Sequence, residues 1–128
     1  MGSIHSGHLA LIAKARQSAS RVIVSIYVNP TQFGAGEDFD KYPRTLDHDC
    51  AAIDASGGFD AIYAPANMYD DGYATSIVPG GVADPMEGEV RPHFFTGVAT
   101  VVLKLFTHIP ADFAIFGEKD FQQLAVIR

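Results

Sequence analysis

The run Val22-Ile23-Val24-Ser25-Ile26-Tyr27-Val28, ended by Asn29-Pro30, constrains this chain more than any other stretch. Its β-branched, almost unbroken apolar character predicts a strand covered on both faces, the habit of parallel sheets. Proline cannot donate to a ladder and restricts the residue before it, so the strand stops there. Parallel strands need crossover helices, and helical patterns flank this one. Leu9, Ile12, Ala13 and Ala15 mark an amphipathic helix over 8–18. After a polar, Gly-containing loop, residues 43–56 read as a second helix. Leu46, Cys50 and Ile53 lie on one side of it, and Gly57-Gly58 ends it. A short strand over 60–64 stops at Pro65. The stretch 67–92 is rich in Gly, Asp and Pro, with a candidate strand at 75–78. Residues 94–107 give the clearest helix, with Val98, Val101, Val102, Leu105 and Phe106 as its buried stripe. A strand over 113–116, a turn at Gly117 and a helix over 118–128 close the chain.

The alternation predicts an α/β fold with a Rossmann-like parallel sheet and flanking helices. A length of 128 residues fits one domain, and such a chain buries roughly 65–70% of its unfolded surface. The first helix has no strand before it, so the sheet is expected to be incomplete. A net charge of −6 argues against a broad nucleic-acid footprint. No apolar run is long enough to span a bilayer, and Met1-Gly2-Ser3-Ile4-His5 lacks the build of a signal peptide. Cys50 is the lone cysteine, which excludes an internal disulfide; it reads as a small buried hydrophobe in a reducing compartment. A cytoplasmic location is the expectation.

Ligands of open α/β sheets bind beyond the carboxyl ends of strands, so polar residues there are the first candidates. His5-Ser6-Gly7-His8 opens the first helix, where free N–H groups favour an anion and Gly7 permits close approach. The plain alternative is two exposed histidines near a chain end. Asn29-Pro30-Thr31-Gln32-Phe33 follows the main strand; its amides suit a hydroxylated carboxylate, and Phe33 could wall the pocket. It also reads as an ordinary polar turn. In Gly117-Glu118-Lys119-Asp120-Phe121-Gln122-Gln123, helical spacing would turn Lys119, Asp120 and Gln123 to one site. The alternative is an acidic first turn with glutamines in water. Together the three point to a nucleotide-handling α/β domain.

Read in order, these segments resemble the pantothenate synthetase (pantoate–β-alanine ligase) family. The HxGH of 5–8 is similar to the phosphate-binding signature of the nucleotidyltransferase superfamily. Val28-Asn29-Pro30-Thr31-Gln32-Phe33-Gly34, Glu37-Asp38-Phe39 and Tyr42-Pro43-Arg44-Thr45-Leu46 resemble the family's VNPxQF…EDxxxYPRT block. Arg91-Pro92, Phe95, Gly97 to Val102 and Lys104-Leu105-Phe106 resemble its RPxxFxGVxTVVxKLF helix. Phe116 to Asp120, Gln122-Gln123 and Ile127-Arg128 resemble FGEKDxQQ…IR.

The resemblance implies ATP-dependent condensation of pantoate with β-alanine through pantoyl adenylate, with Mg²⁺, releasing AMP and pyrophosphate. It makes His5, His8 and Lys119 catalytic. Met1, Gly7, His8, Gly117, Lys119 and Asp120 would bind ATP. Gln32, Gln123, Asn29 and Phe33 would hold pantoate, with Tyr42, Glu87 and Arg91 in support. Asp49 is a candidate magnesium carboxylate, although a solvated helix acid is the commoner use of such a residue. Many members have His where Phe94 stands and Arg where Thr96 stands, so His93 receives no role. By the same comparison residues 1–128 form part of a catalytic domain, beginning inside the turn before HxGH and without the C-terminal lid. Full-length members resemble homodimers. A non-catalytic remnant that binds nucleotide or acts as a dimerisation module is the alternative. A different HxGH nucleotidyltransferase fits the VNPxQF and GEKDxQQ blocks less well.

Overall fold

Only three residues of the long apolar run enter a ladder. In the computed structural model, which describes residues 1–34, 36–37 and 39–128, β1 (Ile23–Ser25) pairs in parallel with β2 (Ala61–Tyr63). The register sets Ile23 against Ala61, Val24 against Ile62 and Ser25 against Tyr63. Asp60 N–H donates to Val22 O and Ile26 N–H to Tyr63 O, carrying the pairing one step past each end. The partner sets the length: β2 is short because Pro65 follows it closely.

The fold class is as expected, α/β with a parallel sheet and flanking helices. The double-sided burial of β1 is not. Val22 and Ile26 are buried while Ile23 is 48% exposed, the alternation of a strand covered on one face. That face meets α1 (Ser6–Ser18) and α2 (Leu46–Ser56), whose Ile12 and Ile53 join Val22 and Ile26 in one core. Ile4, Leu9, Ala15, Val24, Phe59 and Ile62 pack around it. Arg16, near the end of α1, donates to Gly58 O, Ser20 O and Asp60 Oδ2 and so ties α1 to the α2–β2 turn.

On α2 the buried stripe differs from the one expected. Ile53 is fully buried, but Leu46 is 44% exposed and Cys50 half-buried. Asp49, one turn before Ile53, takes the place assigned to Leu46 and is buried. The helix begins at Leu46 rather than at Pro43, with Thr45 as its N-cap.

The chain divides into two compact units. The first is Met1–Val28, Tyr42–Ala66 and Phe113–Gly117; the second is Asn29–Lys41, Asn67–Asp112 and Glu118–Arg128. The second is built on α4 (Phe94–His108), which buries Phe95, Gly97, Val98, Thr100, Val101 and Val102. Its stripe sits one turn earlier than predicted, since Phe106 is exposed and Leu105 half-buried. Around it lie 3₁₀ turns at Pro30–Gln32 and Gly81–Ala83, the short α3 (Glu87–Val90) and α5 (Phe121–Ile127). Neither remaining candidate strand forms among the described residues. At 75–78 the backbone is held instead by a side chain of α4, Ile77 N–H donating to Thr100 Oγ1 at 2.9 Å. Residues 113–116 pair with no strand of this chain among the described residues.

Burial predicts how α2 responds to truncation. Ile53→Ala should cost about 2–5 kcal/mol in denaturant unfolding, whereas Leu46→Ala should stay within about 1 kcal/mol. Equal losses would contradict the observed facing of the helix.

Candidate functional site

His5, Gly7 and His8 cluster in the first unit, and Asn29, Gln32, Glu87 and Arg91 in the second. In the first, His5 is the N-cap of α1 and folds its ring back over the helix start. Its Nδ1 accepts the Gly7 N–H at 3.1 Å, and His5 N–H donates to His8 Nδ1 at 3.4 Å. This reciprocal box replaces the usual Ser/Thr and Glu pair with two imidazoles. It also explains the glycine between them. A Cβ on Gly7 would lie 2.9 Å from His5 Cε1, so any larger residue drives the ring off its cap. The rings stand with centroids 4.0 Å apart.

An imidazole whose Nδ1 accepts an N–H carries its proton, when neutral, on Nε2. Both histidines are therefore set as Nε2–H donors by the backbone itself. Burial holds the His8 pKa below its ordinary value, helped by His5 and the N-terminal amine and opposed by Asp49. Gly117 belongs to the same unit, and a Cβ there would lie 3.7 Å from Leu11 Cδ1 of α1. Met1 and Tyr42 are half-buried in that unit.

Asp49 answers to neither use proposed for it from sequence. It is 1% exposed, so it is no solvated helix acid. Oδ1 accepts the Ile4 N–H at 2.7 Å; Oδ2 accepts the Ser3 N–H at 3.0 Å and the Thr45 hydroxyl at 3.2 Å. No group of three or more His, Cys, Asp or Glu among the described residues is placed to hold a metal. With both Asp49 oxygens bonded to protein donors, the donor set does not fit a protein-held magnesium.

In the second unit, Asn29 is the hub. It is 1% exposed, and its Nδ2 donates to Gly97 O at 3.1 Å and to Gln32 Oε1 at 3.2 Å. Its Oδ1 accepts from Thr31 N–H, Thr31 Oγ1 and Tyr69 Oη. These bonds use the amide's capacity, so Asn29 shapes the turn from within. Gln32, its oxygen turned to Asn29, directs its NH₂ group away from that partner. Phe33 packs edge-on against Phe39 at 5.2 Å between ring centroids.

Arg91 fastens the same loop. It grips Glu37 through Nε and Nη2 (2.8 and 2.6 Å), Glu87 through Nη1 (2.9 Å) and Gln32 O through Nη2 (3.0 Å). Its guanidinium also lies 4.2 Å from the centroid of the Phe94 ring. The bidentate geometry is the strong form of this pair. It holds the Glu37 pKa below the usual carboxylate value, helped by the Gly34 N–H, and raises that of Arg91. Glu87 and Arg91 thus act together as a clamp on the Gln32 turn.

Helical spacing does not carry Lys119. The helix α5 starts at Phe121, and Asp120 is its N-cap with non-helical angles (φ −93°, ψ 69°), so Lys119 precedes it. The Asp120 carboxylate makes no cap bond; it pairs with Lys119 Nζ at 2.8 Å. That bond raises the Lys119 pKa, and the side chain is 83% exposed. On α5 Gln123 is half-buried. Gln122 does what sequence did not assign: it donates to Val82 O and Pro85 O and accepts the Glu87 N–H. Neighbouring helix positions face different ways, a signal that only one of the two glutamines could serve a ligand. Tyr69 and Gly97 were also missed as parts of the Asn29 turn. Tyr69 lies in a stretch with no periodicity to read.

The profile of the family described as Pantoate-beta-alanine ligase matches residues 1–128. The chain belongs to that family. It is 55% identical to the pantothenate synthetase of Rhizorhabdus wittichii strain RW1 over 130 residues, covering 100% of this chain and 46% of that protein. A crystal structure of pantothenate synthetase from Thermus thermophilus is 48% identical and superposes with a TM-score of 0.95, over 99% of this chain and 47% of that one. The pantoate–β-alanine ligase of Francisella tularensis, solved with β-γ ATP and β-alanine, is 42% identical with a TM-score of 0.92, over 99% and 49%. The chain therefore spans about half the length of the relatives it matches, and it shares their fold.

Gly97 gives a test in which two principles predict opposite signs. Gly→Ala inside a helix ordinarily stabilises by about 1 kcal/mol. Here a Cβ would lie 2.4 Å from Thr31 O and 2.8 Å from Gln32 N, both backbone atoms. Gly97→Ala should therefore destabilise by about 1–3 kcal/mol in denaturant unfolding and shift the amide resonances of 31 and 32. A stabilised variant would show that the close approach is not real.

Proposed function

We propose that this chain carries nucleotide and pantoate sites of an ATP-dependent pantoate–β-alanine ligase. In this reading the pantoate carboxylate attacks the α-phosphorus of ATP, pyrophosphate leaves, and pantoyl adenylate remains. The β-alanine amine then attacks the acyl carbon; an amide forms, AMP departs, and the amine gives up a proton. Family membership supports the overall reaction, as do the names of the relatives and the ATP and β-alanine in the Francisella complex.

The observation that carries the reading is the pair of backbone-set imidazoles at the start of α1. Two Nε2–H donors beside helix N–H groups suit phosphate oxygens whose charge grows as the bond to pyrophosphate breaks. In this reading Met1, Gly7 and Gly117 line the approach to the nucleotide. Lys119 and Asp120, an exposed cation and its paired carboxylate in the second unit, are assigned to ATP by the family resemblance. Gln32, Phe33 and Gln123 hold pantoate; Asn29 fixes the Gln32 amide, and Glu87 and Arg91 lock its loop. Tyr42 supports the first cluster. Magnesium enters as the ion that ATP carries on its phosphates, the usual habit of a metal held mainly by substrate oxygens. No step is assigned to an ion held by Asp49. A homodimer and a cytoplasmic location accompany the family reading.

AMP formation by the purified chain, with ATP, Mg²⁺, pantoate and β-alanine each omitted in turn, tests the proposal. AMP release that requires both pantoate and β-alanine supports a ligase. ATP or pantoate binding without AMP would mean a binding remnant. In an active chain, His8→Ala and Lys119→Ala should each cost on the order of 10²–10³ in turnover. A wild-type rate in either variant removes that residue from the mechanism.

A further inference from the structure

Among the described residues Asp49 is the buried ionisable group that the proposed reaction leaves without a task. Its carboxylate closes a turn far away in sequence, through the Ser3 and Ile4 N–H groups. That turn is unusual. Gly2 has φ +91° and Ser3 has φ +52°, and Ser3 is one of two non-glycine residues with positive φ among the described residues. In this turn the consecutive Ser3 and Ile4 N–H groups converge on one carboxylate, as successive backbone N–H groups of a turn form a concavity for an anion. Here the anion is the protein's own carboxylate. Its fit is close: a Cβ on Gly2 would lie 2.9 Å from Oδ2. The residue after Ile4 is His5, the N-cap that starts α1.

We propose that Asp49 is a positioning residue, filling the anion concavity of residues 2–4 to hold the strained turn that presents His5 and His8. A residue kept at positive φ without being glycine persists only when its surroundings over-determine it, and the two charge-assisted N–H bonds supply that determination. With the concavity filled from within, it is closed to a phosphate, and the phosphate contacts pass to the Nε2–H groups of the histidines. The competing role for Asp49 is local: accepting the Thr45 hydroxyl at the start of α2. The inference rests on reading the histidines as phosphate contacts.

The test uses Asp49→Asn, Ser3→Gly and the double variant of the whole chain. Hydrogen exchange is followed at the amides of residues 3 and 4, with ATP affinity by calorimetry. Asp49→Asn should lower protection at those amides by on the order of ten- to hundred-fold, as for loss of a bond to a charged acceptor. It should weaken ATP about ten-fold. Ser3→Gly removes the backbone strain, so it should restore at least about three-fold of that affinity in the Asp49→Asn background and change the wild type by less than about two-fold. A role confined to α2 would not be rescued from residue 3. Retained protection in Asp49→Asn overturns the proposal, as does lost affinity that Ser3→Gly leaves unrestored. Should Asp49→Asn fail to fold, Ser3→Val strains the turn with Asp49 intact. It should weaken ATP about as much, and unchanged affinity there overturns the proposal. A wild-type chain that binds no ATP refutes the phosphate reading instead, while the exchange data still judge the turn.

Discussion

A polar group taken out of water must find a partner, because an unpaired one costs about 1–3 kcal/mol or more. Both candidate clusters hang on this constraint. Asp49 and Asn29 are each 1% exposed, and each turns its side-chain polar atoms to protein groups, several of them distant in sequence. Among the described residues no buried side-chain nitrogen or oxygen lacks a partner. One network fixes the turn before α1; the other fixes the turn after the main strand. Asn29 uses its amide on protein partners, and Asp49 turns both of its oxygens to protein donors. In the proposed function the ligand contacts fall to their neighbours, the histidines in one unit and Gln32 in the other.

The two clusters differ in chemistry as their proposed ligands do. At α1, backbone N–H groups set imidazole tautomers, and the helix start adds its own positive end, an arrangement for anions. At the 30–32 turn the donors and acceptors are neutral amides. The charges there are confined to the Arg91 clamp on Glu37 and Glu87, where they lock the loop. Glycines make both arrangements possible by allowing contacts that a Cβ would forbid. Gly7 lets the His5 ring fold over the helix, and Gly97 lets the turn rest on α4.

Periodicity marked the helices α1, α2, α4 and α5 and the strands β1 and β2, and strand ends marked three polar segments as candidates. They failed where tertiary context decides. The apolar run 22–28 signalled a strand but could not reveal that β2 would limit its ladder or that one face would stay open. Asp49 followed the spacing of a helix acid; its burial depends on Ser3 and Ile4, which no local pattern connects to it. Lys119 looked helical because its spacing to Gln123 fits a helix over 118–128, yet the helix starts only at Phe121 and Lys119 pairs with Asp120 ahead of it. The family motifs did register Glu37 and Gly97, but as letters in a pattern. Their jobs, an ion pair to Arg91 and a bare spot under Thr31, became readable only in three dimensions.

In the proposed function the two clusters carry separate tasks. The most direct measurement is amide chemical-shift mapping of the chain titrated with ATP and, separately, with pantoate. ATP should move resonances at 5–9, while pantoate should move those at 31–33. ATP acting on the 30–32 turn while leaving the histidine segment unmoved would contradict this separation.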